Sequence, residues 1–216
     1  MLTKNNKNIL LTNYTIQQLI KNNIHIGNIK KFRNNDNINF IFNSIKNIDI
    51  INIQKTLETL KIILPTITNI IKLNGKILTV LHTQQKDIKT NIIYISKKTH
   101  QRFLFSWKPG LLSNYKEFKK QKKYYIYKNI RYLPNFIIFL NDYSHHTELK
   151  TEIKSLQIPC VRLQSSIEKD LNFSYTLPSN KKDLQIKFFF TNLICNAILY
   201  GYAKKVLSFS NKHYKK

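Results

Sequence analysis

Five consecutive apolar residues, Phe136-Ile137-Ile138-Phe139-Leu140, constrain this chain more than any other segment. A strand with one face in water alternates polar and apolar side chains, and this one does not. It must be covered on both faces, as strands are in a parallel sheet flanked by helices. Residues 76–81, 102–105 and 158–163 read as further short strands of that sheet. Helical patterns separate them. Asn52 is placed to cap a long one with Leu57, Leu60, Leu64, Ile67, Ile70 and Ile71 at helical spacing, which Pro65 is expected to kink or split. Asn74-Gly75 ends it, with glycine suited to the left-handed position after a helix. Residues 84–97, 145–156 and 182–207 give three more helices, and 113–127 a Lys-rich helix or loop.

Upstream of this alternation the pattern changes. A short helix from Asn13 to Asn22 with Ile16, Leu19 and Ile20 on one face precedes a polar, basic loop over residues 25–37. Two β-branched runs, residues 38–42 and 48–51, then read as a hairpin. The predicted architecture is α/β: a three-layer Rossmann- or flavodoxin-like domain with a mainly parallel sheet, an N-terminal helix and a β-hairpin. Residues 1–216 are expected to form one such domain, ending in a basic tail over 204–216.

Charge then decides the class of partner. Thirty-six Lys and Arg against 11 Asp and Glu give a net charge of +25 on 216 residues. Self-repulsion of that size is relieved by a polyanion, and a phosphate backbone gains further from counterion release. Hydrophobic residues make up 42%, too many for a disordered polycation. The longest uncharged stretch, residues 188–203, is too short to span a bilayer and carries Asn192 and Asn196, so it reads as a core helix and no membrane partner is expected. Cys160 and Cys195 lack any pairing motif and read as buried thiols of a reducing compartment. The first eight residues have neither a secretory apolar core nor the Arg- and Ser-rich character of a transit peptide.

The catalytic constellations of α/β enzymes do not fit. Gly27, Gly75, Gly110 and Gly201 are the only glycines, and no two are close enough for a dinucleotide-binding loop. Gly75-Lys76 is followed by a strand where a phosphate-binding loop needs a helix. His145-His146 with Asp142 and Glu148 lacks a third ligand at fixed spacing and reads as a helix start. Ser113 and Ser144 have no base and orienter. No catalytic residue, metal, cofactor or small-molecule substrate is expected.

Three segments combine rare residues with basic and aromatic ones: Ile24-His25-Ile26-Gly27-Asn28 followed by Lys30-Lys31-Phe32-Arg33; Trp107-Lys108-Pro109-Gly110-Leu111-Leu112-Ser113-Asn114-Tyr115-Lys116; and Leu133-Pro134-Asn135. With Phe40-Ile41-Phe42, Asp49-Ile50-Ile51-Asn52-Ile53, Lys55-Thr56, Gly75-Lys76-Ile77-Leu78, Gln157-Ile158-Pro159 and Leu177-Pro178-Ser179-Asn180, this order resembles the bacterial-type ribosomal protein S-two family, the second protein of the small subunit. The resemblance covers about residues 19–201, and all four glycines fall where the family has glycine. The chain departs from the family at Asn28, which replaces its second His, at Arg33–Asn37, where its aromatic-Asn-Pro-Lys-Met turn is lost, and at Pro109, which replaces the first of two glycines. The family's protruding helical hairpin is largely deleted, reduced to residues 116–132.

The resemblance implies a structural, non-catalytic role in the small subunit between head and body, near the messenger exit, with small-subunit rRNA and neighbouring ribosomal proteins as partners. The residues agree with RNA binding: Lys30, Lys31 and Arg33 can track phosphates, Arg102, Lys108 and Lys116 flank Trp107, Asn114 and Tyr115, and Lys119, Lys120, Lys122 and Lys123 add charge. Phe32 and Trp107 have two open roles, base stacking and core packing, and the lysine run has two, phosphate contact and solvation. His25, Gly27, Gly75 and Gly110 read as structural turns. The rivals are a ribosome-assembly or RNA-binding accessory factor and a Rossmann-like RNA methyltransferase, although Leu81-His82-Thr83-Gln84-Gln85 offers no Gly-rich or acidic cofactor loop. Only Arg33, Arg102, Arg131 and Arg162 are Arg, and Asn, Ile, Phe and Tyr abound, as AT-rich codons dictate. An organelle gene fits that bias, which makes the mitochondrial matrix the first expectation for location and the plastid stroma the second.

Overall fold

The computed structural model describes residues 16–81, 86–105, 107, 109–114, 133–140, 146–168, 173–180 and 183–213. Helix α1 (Ile16–Lys21) leads into β1 (Ile26–Ile29), β2 (Ile41–Ile45) and β3 (Ile48–Ile51), a three-stranded antiparallel sheet in the order β1-β3-β2. The hairpin exists, but its first strand starts three residues later than expected. Lys46 and Asn47, both at positive φ (47° and 63°), make its two-residue turn, the backbone that matches the twist of paired strands. The segment expected as a loop over 25–37 instead contributes β1 and two 3₁₀ turns, Lys30–Phe32 and Asn35–Phe40.

Helix α2 (Ile53–Lys72) begins where Asn52 accepts the Gln54 amide at 3.1 Å. It buries one stripe, including Thr56, Leu60, Ile63, Leu64, Ile67 and Ile71, at the helical repeat. Pro65 does not split it. The carbonyl that loses its usual donor belongs to exposed Lys61, where water can replace it. At its end Asn74, not Gly75, takes the left-handed conformation (φ 67°). Gly75 is required for a different reason: a Cβ there would stand 2.5 Å from Ile70 Cγ2 and 2.8 Å from the Ile70 carbonyl oxygen.

The remaining elements are β4 (Ile77–Val80), α3 (Lys86–Thr99), β5 (Arg102–Leu104), β6 (Phe136–Phe139), α4 (His146–Leu156), β7 (Cys160–Gln164), β8 (Tyr175–Pro178) and α5 (Leu184–His213). All five strands pair in parallel in the order β5-β4-β6-β7-β8, which is the flavodoxin-like winding. β4, β6 and β7 are buried at every residue, as their apolar runs require. One face packs Ile77, Phe136, Ile138, Val161 and Leu163 against α2, α3 and α5. The other packs Leu78, Val80, Ile137, Phe139 and Cys160 against α4 and the turn after Trp107. The expected C-terminal tail is helical through His213. The reduced hairpin, residues 116–132, lies outside the described residues. No described helix is long and apolar enough to cross a membrane.

Candidate nucleic-acid interface

Lys30, Lys31 and Phe32 form a 3₁₀ turn directly after β1, tied to the hairpin turn by Lys30 N–H donating to the Asn47 carbonyl at 2.8 Å. Both lysines are exposed, and the Phe32 ring is 62% exposed, so this turn presents two cations and a stacking surface to solvent. Arg33 differs. Its guanidinium turns inward and lies 3.4 Å from the carboxylate of fully buried Asp49, which Ser44 also donates to at 2.8 Å. Arg33 is therefore a partner for a buried charge and is withdrawn from the phosphate-tracking set. His25 sits in the turn before β1, where its carbonyl accepts the Ile51 amide at 2.8 Å, and Gly27 is buried in β1 against the Asp49 backbone. Both fit structural roles.

The rest of the expected site is not assembled around this turn. Trp107 is 7% exposed and meets Phe139 edge-on at 5.7 Å in the core. Its role is packing, because a strand end brings it over the inner face of β6, and it has no surface to offer a base. Gly110, at φ 82°, makes the turn that follows, a backbone closed to most side chains. That turn is fixed by Glu152, buried on α4, whose two carboxylate oxygens accept the amides of Gly110 and of Leu112, the latter at 3.0 Å. Glu152 carried no motif in the sequence; only its place on α4 reveals it. Asn114 is exposed. Arg102 is half-buried at the start of β5, the far edge of the parallel sheet from β8. Lys108, Tyr115, Lys116, Lys119, Lys120, Lys122 and Lys123 lie outside the described residues.

Asn37 shows how the N-terminal sheet is held. It is 1% exposed and donates to the carbonyls of Ser165, Ser166 and Glu168 beyond the end of β7. Gln164 donates to its side-chain oxygen and accepts from Arg162 at 3.2 Å. Arg162 in turn pairs with Glu168 at 3.0 Å and lies over the Phe173 ring. Asn34 N–H reaches the Ser166 carbonyl, Thr56 the Pro178 carbonyl, and Asn180 the Gly27 carbonyl. In open α/β sheets ligands bind outside the C-terminal strand ends. At β7 and β8 the chain's own polar side chains and backbone occupy that place. Cys160 and Cys195 are both buried; burial raises both thiols, Cys195 to about 12, so neither supplies a thiolate at neutral pH.

The family model for Ribosomal protein S2 matches residues 19–129, which run from α1 through β5. The chain belongs to the ribosomal protein S2 family. It is a small-subunit ribosomal protein, and the family is structural rather than enzymatic, associated with the rRNA and proteins of that subunit. The match includes the basic turn at Lys30–Phe32 and the Trp107 segment. No curated protein sequence matches the chain.

Proposed function

We propose that this protein is a structural constituent of an organellar small ribosomal subunit, in the mitochondrial matrix, and that it binds small-subunit rRNA through the Lys30-Lys31-Phe32 turn. Residues 1–216 are read as one domain serving that role, with neighbouring small-subunit proteins as further partners. The observation that carries the reading is the exposure of two lysines and a 62% exposed phenylalanine on one short turn, in a chain of net charge +25. Phosphate contact and ring stacking are two of the means by which proteins hold irregular RNA. Arg33 supports the turn from behind through Asp49. The mitochondrial location rests on the Lys-, Asn- and Ile-rich, Arg-poor composition alone.

The test is gradient sedimentation of organelle lysate with the protein followed by mass spectrometry at high and low magnesium. Stoichiometric co-migration with the small subunit, kept in whole ribosomes, is expected. Recovery only with immature subunits would replace this reading with that of an assembly factor.

A further inference from the structure

The N-terminal sheet is built with its apolar side outward. Along β3, Asp49 and Ile51 are buried, whereas Ile48 is exposed and Ile50 half-buried, the alternation of a strand with two unlike faces. The register carries the outer row across the sheet. Ile48 pairs with Ile29 of β1 and with Ile45 of β2, and Ile50 pairs with Ile26 and with Asn43. Residues directly opposite each other share a face. Ile26 and Ile29 are three apart, and the irregular step between them keeps both on that face. Five isoleucines therefore stand together, of which Ile26, Ile29, Ile45 and Ile48 are between 38% and 57% exposed. Phe42, where the β2 register shifts, adds a 77% exposed ring on the same strand as Ile45.

The inner side is the polar one. Asp49 takes Arg33 and Ser44 there, and Asn28 and Asn37 donate to Ser165 and Ser166 beyond the end of β7. An antiparallel sheet with one wet face ordinarily puts apolar side chains inward and polar ones outward, and this one reverses the order. A contiguous exposed apolar surface marks an interaction site. Its chemistry narrows the occupant. Isoleucine offers RNA neither a charge nor a stacking ring. A second copy of the chain would bring +25 against +25. Lysines border the apolar rows: Lys46 makes the hairpin turn between Ile45 and Ile48, and Lys30 and Lys31 follow Ile29, held beside that turn by the bond from Lys30 N–H to the Asn47 carbonyl. All three are exposed.

We propose that the outer face of the N-terminal sheet docks a neighbouring small-subunit protein, through a segment of that partner whose apolar side chains are flanked by Asp or Glu. The isoleucine rows supply the apolar centre of the contact, and the lysines at the rim supply charge that favours an acidic edge over a basic one. This deepens the ribosomal reading above, on which it rests. The face adjoins the Lys30-Lys31-Phe32 turn, so the protein and RNA partners meet along one edge of the sheet.

The experiment puts the photo-reactive residue p-benzoylphenylalanine in place of Ile45, and separately of Ile48, in the full-length chain assembled into small subunits. After irradiation, mass spectrometry reads the linked segment. One ribosomal protein is expected, linked through apolar residues with Asp or Glu beside them. A link to rRNA, to a second copy or to residues 1–15 of the same chain, or no link from either position, overturns the inference. Ile45→Gln/Ile48→Gln should keep the wild-type thermal midpoint and rRNA salt slope. It should join the subunit at least about tenfold more weakly, the factor that burial of one isoleucine supplies. Unimpaired joining overturns the inference. Lys46→Glu should also weaken joining and Lys46→Arg should not; equal joining by the two overturns the acidic partner. If the protein link forms but Lys30→Ala/Lys31→Ala leaves the rRNA salt slope unchanged, the RNA reading of the turn fails and this inference stands. A wild-type chain that does not join the small subunit overturns both.

Discussion

At the C-terminal ends of β7 and β8, Glu168, Arg162, Gln164 and Asn37 hydrogen-bond one another in a closed circuit, with Asn37 returning to the Glu168 carbonyl. At the N-terminal ends, the helices stop in left-handed residues that are not glycine: Asn74, His100 and Gln157, at φ 67°, 56° and 51°. One end is closed by side-chain hydrogen bonds, and the other carries helix ends in a conformation that L-residues adopt at a cost. Where a fold leaves local rules unmet at one place, that place is the better candidate for function. The end that usually serves ligands in this topology is spent at β7 and β8 on docking the N-terminal sheet, and the surface proposed for RNA is the exposed turn on that sheet.

The sealed end should break most severely. Asn37→Leu removes the partner of Gln164 and the donor to three carbonyls, leaving buried polar groups without bonds at about 1–3 kcal/mol each. A loss on the order of 4 kcal/mol in urea unfolding is expected, with the salt slope of RNA binding unchanged in whatever protein remains folded. A loss below about 1 kcal/mol, no more than one ordinary hydrogen bond, would mean water enters the circuit and the end is not sealed.

The basic turn separates the two kinds of cation within four residues. Arg33→Ala leaves Asp49 buried and unpaired, which should cost on the order of 3 kcal/mol. Lys30→Ala/Lys31→Ala should leave stability within about 0.5 kcal/mol per residue, as surface changes do. Its salt slope should fall by about one unit per lost phosphate contact. Thermal melts and salt-dependent binding of the two variants, run side by side, decide it. Equal stability losses would return Arg33 to the RNA-facing set.

How much of this was legible follows from which interactions are local. The apolar runs at residues 76–81 and 136–140 identified β4 and β6 because burial on both faces is written in consecutive residues. The Asn52 cap was readable because its partner is two residues away. β1 was missed because Ile-Gly-Asn-Ile has little strand character of its own and exists by pairing with β3. β8 was not expected as a strand; it ends in Pro178, which an edge strand tolerates. Trp107 kept two open roles until its neighbour Phe139 was placed 32 residues away, and Arg33 looked like its lysine neighbours until Asp49 was found facing it. The basic helix ends are scattered over residues 72–154 in the chain. Their signal was nonetheless present, since Lys72, Lys97, Lys98 and Lys154 close α2, α3 and α4. Only the parallel topology shows that those helix ends share one side of the molecule.

The smallest effect tests the strained helix ends most directly. His100 and Gln157 end α3 and α4 in a conformation that costs L-residues roughly 1–2 kcal/mol, whereas glycine adopts it freely. Glycine also loses more chain entropy on folding, which returns part of that gain. His100→Gly and Gln157→Gly should therefore each raise stability by about 0.5–1 kcal/mol, additively because they close separate helices. Neither adds or removes a Lys or Arg, so the RNA salt slope should not move. If the glycine variants weaken RNA binding, the shape of these helix ends is part of the interface.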